Sequence, residues 1–195
     1  MNQYKMHTFQ INTERLTIRQ LTLTDLGGFH HYRSNPDVVM YQGFDVYTLS
    51  QAKSFIEENA TKTFGMPGQW VQYAIQSNKT GKLIGDCAIK LDQFDTRLGE
   101  IGITISPGEQ KKGYAKEVLL GILNFLFSME DFHRVTETVD AENLASIQLL
   151  KSVGFRQEGY FIENIFFKGK WGSEYQFAML KAEWLNLKQR FFELQ

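Results

Sequence analysis

The run Ile103-Thr-Ile-Ser-Pro-Gly-Glu-Gln-Lys-Lys-Gly-Tyr-Ala115 constrains the fold more than any other part of the chain. A β-branched segment passes through a polar turn holding two glycines and goes directly into an apolar helix. At such a junction the first backbone N–H groups of the helix lack intrahelical partners and point, with the positive end of the macrodipole, into the turn. Gly108 and Gly113 let the backbone turn sharply and approach a ligand, while Lys111, Lys112 and Lys116 add positive charge. The expectation is a phosphate site between a strand and a helix, which belongs to α/β architecture.

Two common phosphate loops do not fit. The spacing from Gly108 to Gly113 imitates a G-x-x-x-x-G-K-[ST] loop, but Tyr114 and Ala115 stand where the lysine and the Mg²⁺-binding hydroxyl belong. No G-x-G-x-x-G opens a helix, so a dinucleotide-binding Rossmann domain loses its main signature.

At 195 residues the expectation is one domain spanning 1–195, with a core over about 14–181 and a C-terminal helix over about 182–195. The formal charge of −1, with both signs interspersed, disfavours bulk nucleic acid as a partner. Cys87 is the sole cysteine, so neither a disulfide within the chain nor a multi-cysteine metal site is open to it, and a reducing compartment suits it. His7, His30, His31 and His133 show no metal-ligand spacing, and no metal is expected. The segment from Met1 to His7 lacks the apolar run of a secretory leader, and the apolar stretch from Val118 to Phe127 is too short to span a bilayer. A cytoplasmic protein without membrane partners is expected.

Periodicity places a first strand over Glu14 to Leu21, a short helix over Leu26 to Arg33, and a second helix capped by Ser50 and running from Gln51 to Thr63. Strands over Trp70 to Ser77, Lys82 to Leu91 and Leu98 to Ser106 form a meander. The apolar stripe of Ala115, Val118, Leu119, Ile122, Leu123 and Leu126 marks a helix packed on that sheet, leading to a strand over His133 to Val139. A strand-helix-strand unit of this kind is parallel by the crossover rule. A helix over Asn143 to Val153 ends at Gly154, and a hairpin of Phe155 to Phe167 and Glu174 to Lys181 turns across Lys168 to Gly172. The segment from Ala182 to Gln195 reads as an amphipathic helix that packs on the domain. Exposed strand edges and the aromatic hairpin suggest a possible homodimer.

Gln110-Lys111-Lys112-Gly113-Tyr114-Ala115 resembles the Q/R-x-x-G-x-G/A signature of the GNAT acetyltransferase family. Asn143-x-x-Ser146 with Gly154-Phe155, the opening Thr13-Glu14-Arg15-Leu16-Thr17-Ile18-Arg19, and Gly81-Lys82-Leu83-Ile84-Gly85 resemble its branch of ribosomal-protein N-terminal (alanine/serine) acetyltransferases. The order of elements is similar to that fold from about Glu14 to about Lys181. The resemblance implies a GNAT-like mixed, largely antiparallel sheet with a βαβ cofactor-binding unit and flanking helices. It implies an N-acetyltransferase that moves an acetyl group from acetyl-CoA, as co-substrate, to a primary amine in a direct ternary complex.

Residue by residue, the resemblance implies that Gln110, Lys111, Lys112, Gly113, Tyr114, Ala115 and Lys116 hold the pyrophosphate, and that Ile103 and Ile105 pair through their backbones with pantetheine. Asn143 would hydrogen-bond the cofactor and Ser146 would lie near its sulfur. Many relatives carry a tyrosine seven residues after the asparagine, but that position is Leu150, which rules out a tyrosine acid there. Glu100 is the candidate base, because an aliphatic amine is protonated near neutral pH and strand alternation sets Glu100, Gly102 and Thr104 on one face. Tyr32, Tyr41, Phe44, Trp70 and Trp171 are candidates to line an acceptor pocket, and Asp37, Asp45 and Glu163 to attract a cation. Cys87 reads as a small buried hydrophobe. A peptide or protein N-terminus, a polyamine, an amino sugar and an amino acid all stay open as acceptors. So do a non-catalytic acyl-CoA-binding sensor of the same fold and a nucleotide-dependent enzyme.

Overall fold

The alternating segments of the chain close into one sheet whose two faces are both covered. The computed structural model describes residues 9–192; the Met1-to-His7 segment and residues 193–195 of the expected C-terminal helix lie outside the described residues. The strands are β1 (Gln10–Asn12), β2 (Leu16–Gln20), β3 (Trp70–Ser77), β4 (Leu83–Leu91), β5 (Leu98–Ile105), β6 (Arg134–Asp140), β7 (Arg156–Phe167) and β8 (Lys170–Leu180). They lie in the order β1-β2-β3-β4-β5-β6-β8-β7. Each neighbouring pair is antiparallel except β5 and β6, which run parallel because the crossover helix α4 (Tyr114–Ser128) joins them.

The register sorts side chains into two rows. Tyr73, Cys87, Ile103 and, across β6, Val135 and Val139 share a face with Phe177 and Met179 of β8. That row forms the larger core with Val118, Leu119, Ile122, Leu123 and Leu126 of α4, and with Ile147, Leu150 and Val153 of α5 (Leu144–Val153). The opposite row holds Trp70, Lys90, Glu100 and Thr136 at one level and Ala74, Asp86 and Thr104 at another. It is covered by α1 (Leu26–Arg33) and α3 (Leu49–Asn59), whose Phe29, Tyr32, Ala52 and Ile56 pack with Leu21 and Ala74 in a second cluster. The sheet is thus sandwiched by helices, as amphipathic segments on both sides require.

Several boundaries differ from the expectation for local reasons. The helix expected from Ser50 starts two residues earlier because Thr48 and Gln51 form a capping box, each side chain meeting the other's backbone N–H. It stops at Asn59, whose buried amide bonds both the N–H and the carbonyl of Gln72 at 2.8 Å. A short α2 (Pro36–Val39) follows Asn35, which caps it through Asp37 N–H. The expected five-residue loop at Lys168 to Gly172 is a two-residue turn, Lys168 at φ 48° and Gly169 at φ 82°, so β8 begins at Lys170. Two consecutive left-handed residues match the twist of a hairpin. The C-terminal segment forms α6 (Lys181–Leu187) and α7 (Gln189–Phe192), with Trp184 buried against Phe127.

Candidate active site

The sheet forks where β5 and β6 meet. Their pairing runs only through Leu98–Arg134, Gly99–Val135 and Glu100–Thr136. Beyond that level Ile101 to Ile105 pair with β4 alone, and Glu137 to Asp140 pair with β8 alone. The free edge of β5 therefore offers backbone donors and acceptors to an extended ligand. Ile103 lies in the middle of this edge. At its end the Ile105 carbonyl accepts the Gln110 side-chain amide at 3.0 Å, so Gln110 serves to hold the loop against the strand.

The loop beyond β5 ends in an open helix start flanked by lysines. Lys111 lies at φ 61° and Gly113 at φ 80°, the latter ending the loop as the N-cap of α4 with no side chain bonded over the helix start. Lys111 and Lys112 are exposed; Lys112 also reaches Glu109 at 2.9 Å. Tyr114 and Ala115 are half-buried against the core, and the Lys116 ammonium lies 5.2 Å from the Phe191 ring centroid. Arg15, from the turn between β1 and β2, braces this loop. Its Nη1 donates to the Lys112 carbonyl at 3.1 Å, its guanidinium lies 4.6 Å from the Tyr114 ring centroid, and its Nε meets Glu117 Oε2 at 2.6 Å. Burial works against the ionised Glu117, but hydrogen bonds from Thr13 and Arg15 outweigh it and hold the carboxyl below its ordinary range.

Across the fork, Asn143 caps α5 by accepting the Ser146 N–H at 3.2 Å. The Ser146 hydroxyl is half-buried, and Leu150 is buried in the core, one turn further on. On the opposite row Glu100 sits at the last paired level, its carboxylate 2.7 Å from Lys90 Nζ, which in turn lies 5.0 Å from the Trp70 ring centroid. Trp70 is thereby part of a surface row with Lys90 and Glu100.

The segment after α1, the end of β6 and the hairpin turn enclose a cavity of about 460 Å³. Tyr41 lines it with Val39, Met40, Val46 and Phe167, and Asp45, Asp140, Glu142, Lys168 and Lys170 supply charge. The Tyr41 hydroxyl donates to the Glu142 carbonyl at 3.4 Å, and Lys170 pairs with Glu142 at 2.9 Å. The other aromatic candidates go elsewhere. Tyr32 is buried and donates its hydroxyl to Asp86. Phe44 lies under the Arg33 guanidinium at 4.5 Å, and Trp171, on the far side of the hairpin, packs edge-on against Phe166. Among the described residues no cluster of histidine, cysteine or carboxylate side chains is arranged to hold a metal ion, and no helix is long and apolar enough to cross a membrane.

Residues 15–156 match the acetyltransferase (GNAT) domain family. The chain belongs to the GNAT acetyltransferase family. It is 31% identical over 174 residues to the uncharacterized N-acetyltransferase YnaD of Bacillus subtilis, covering 89% of this chain and 98% of that one. A GNAT-family acetyltransferase structure from Bacillus anthracis superposes with a TM-score of 0.80 at 28% identity, covering 90% of this chain and all of the other. The structure of spermidine N-acetyltransferase from Vibrio cholerae in complex with CoA and spermine superposes with a TM-score of 0.76 at 22% identity, over 89% of this chain and all of that one. The chain is thus an N-acetyltransferase with the mixed α/β fold of its family.

In this GNAT acetyltransferase the residues that escaped the sequence reading are Arg15, Lys90, Asp140, Glu142 and Glu137. The first four act through contacts between segments distant in sequence. Glu137 carried a local signal: in Val135-Thr-Glu-Thr-Val139 it takes the same row as two buried valines. It is the first β6 residue past the fork, and its carboxyl makes no hydrogen bond or ion pair among the described residues. Burial alone pushes that carboxyl up to about 8. Burial likewise raises the Cys87 thiol well above its ordinary value, with Asp86 adding to the effect, so Cys87 is an inert core residue.

Proposed function

We propose that the protein transfers an acetyl group from acetyl-CoA to a primary amine, by direct attack in a ternary complex. The observation that carries this reading is the fork itself: an unpaired β5 edge that runs straight into an uncapped helix N-terminus. Acetyl-CoA suits both parts. Its pyrophosphate suits the N–H groups after Gly113 and the positive charge of Lys111 and Lys112, and its amide-bearing arm can pair with the edge at Ile103. Gln110, Ile105 and Arg15 shape this cradle. The Vibrio cholerae relative solved with CoA and spermine supports the same use of the fold.

The amine lone pair attacks the thioester carbonyl carbon, a C–N bond forms, and the C–S bond breaks to release the thiolate. Holding both substrates side by side removes much of the entropic barrier. Glu100, ion-paired with Lys90 at 2.7 Å, takes the proton that the amine sheds, directly or through water. Asn143 orients the arm, and the Ser146 hydroxyl donates a hydrogen bond to the sulfur. Tyr41 and the carboxylates Asp45, Asp140 and Glu142 receive a cationic amine in the neighbouring cavity, either a small molecule or a peptide N-terminus.

Thermal denaturation with and without acetyl-CoA, followed by thiol release with spermidine, glucosamine, and peptides starting in alanine or serine, tests the reading. Stabilisation with amine-dependent release is expected, and Glu100→Gln is expected to lower the rate by about 10²-fold while cofactor stabilisation persists. Stabilisation by Mg-ATP in place of acetyl-CoA would overturn it, and stabilisation without release from any amine would point to a non-catalytic binder.

A further inference from the structure

We propose that Gly102 is a specificity-determining residue of the acceptor site: its missing side chain keeps open the space on the Glu100 side of β5 through which the amine reaches the thioester. The inference rests on the transferase reading above. It starts from a strand residue that the fold does not explain. Glycine weakens the interior of a strand, because it loses more chain freedom on folding and offers no side chain to pack. Where it persists there, it marks a bulge, a tight contact or the close approach of a ligand.

The other glycines of the described strands have structural reasons. A Cβ on Gly85 would fall 2.2 Å from the Thr104 carbonyl oxygen, and one on Gly99 would fall 3.0 Å from the Phe132 ring. On Gly159 it would meet the Phe161 ring at 3.3 Å, and on Gly172 the Ile165 side chain at 3.4 Å. Gly102 has no such neighbour. A Cβ there meets nothing within 4 Å, and its backbone is not in the left-handed region. It sits opposite Ala88 in a β4–β5 ladder that runs without a bulge. The space beside it is open, and neither packing nor backbone conformation requires that.

The opening lies where the chemistry needs it. Gly102 is half-buried and two residues past the last β5–β6 pair, so its edge toward β6 has no strand partner. On its own row of β5 stand Glu100, the base of the reading above, and the buried Thr104. Across the fork the same row of β6 runs from Thr136, opposite Glu100, through Thr138 to Asp140, which lines the cavity. An amine held by the cavity carboxylates and handed to Glu100 thus travels along the fork beside Gly102. The arm of acetyl-CoA pairs at Ile103, the next residue in the chain. With only the Ala88 methyl on the neighbouring strand, the bulk at position 102 decides how much room the amine and the carbon bearing it have.

Gly102→Ala and Gly102→Val place a methyl and then an isopropyl group in this space, and both residues suit a strand interior better than glycine. Three readouts on the full chain test the proposal: the urea midpoint, thermal stabilisation by CoA, and thiol release from acetyl-CoA with spermidine, glucosamine and an alanine-initiated peptide. The urea midpoint is expected to stay or rise, and stabilisation by CoA to stay. The kcat/KM for the amine is expected to fall about 10-fold in G102A and about 10²-fold in G102V. Among the amines that the wild type turns over, the loss should be steeper for glucosamine and the peptide, whose nitrogens sit on branched carbons, than for spermidine. Wild-type turnover in G102V overturns the proposal. So does a lowered urea midpoint, which would make Gly102 a structural glycine, or lost stabilisation by CoA, which would give the space to the cofactor. Absence of thiol release from the wild type with every amine would instead fail the transferase reading, and the role of Gly102 with it.

Discussion

Asp86 on β4 and Glu137 on β6 are carboxylates of one sheet, and their surroundings are opposite. Asp86 is fully buried and accepts from the Tyr32 hydroxyl, the Gln72 amide and two nitrogens of the Arg33 guanidinium. Glu137 faces apolar neighbours at the fork and accepts from none of the described residues. The difference separates a buried, fully partnered carboxylate from a half-buried one without partners among the described residues. Asp86 ties α1 to the sheet: Arg33 also carries Phe44 on its guanidinium and accepts the Tyr47 N–H on its carbonyl, so the segment beside the cavity is anchored through this pair. Its place is structural. Glu137, half-buried, makes no hydrogen bond or ion pair that anchors an element among the described residues.

The strongest way to break the comparison is to remove Asp86. Asp86→Ala strands a buried guanidinium and is expected to cost about 3–5 kcal/mol in urea denaturation. An Arg33→Met, Asp86→Leu double variant is expected to recover most of that loss, since a buried pair is often no better than apolar residues of similar volume. If the double variant is no more stable than the single, the pair is holding more than its own charges.

A pH-dependent effect of reversed sign is expected at Glu137. Between the ordinary carboxylate value of 4.5 and about 8 the folded protein holds a proton that the unfolded chain has released, so wild-type stability falls as pH rises through that window. Glu137→Gln removes the dependence. Its stability advantage over the wild type should therefore grow across the window and level off above it, as read by denaturation at a series of pH values. Parallel curves for the two proteins would place Glu137 with Asp86, as a satisfied group.

The smallest effect belongs to Glu158, an exposed contrast to both. Arg134 and then Arg156 hold its carboxyl down at about 2, so its contribution is present above the ordinary carboxylate range and is lost as pH falls toward that value. With the partners open to water, Glu158→Gln is expected to change stability by no more than about 1 kcal/mol near neutral pH.

Local chemistry made much of the fold legible. Alternation set β3 at its observed ends, the α4 stripe named the residues that pack on the sheet, and Gly154 ended α5 with a left-handed φ of 100°. The loop from Gln110 to Ala115 was readable because a glycine at positive φ before an apolar helix is a local requirement. Where two local signals competed, the longer-range one prevailed. Ser50 is an acceptable cap, but Thr48 has Gln51 to complete a box. Lys168 at positive φ was invisible because lysine carries no preference for it, so the hairpin turn looked longer than it is. Tyr32 was expected to line an acceptor pocket, and only its contact with Asp86, 54 residues away, put it in the interior.

By itself the sequence determined the order of elements, the parallel crossover around α4, the glycine-bearing loop before α4 and the absence of a tyrosine at position 150, since each depends on residues close together in the chain. Only the tertiary structure decided that the sheet forks beyond Glu100, that Arg15 braces the loop, that Trp171 turns away from the cavity, and that Asp86 is buried with Arg33 and Tyr32 as partners. Those facts concern which groups reach one another and which are cut off from water, and solvation and pairing are properties of the packed chain as a whole.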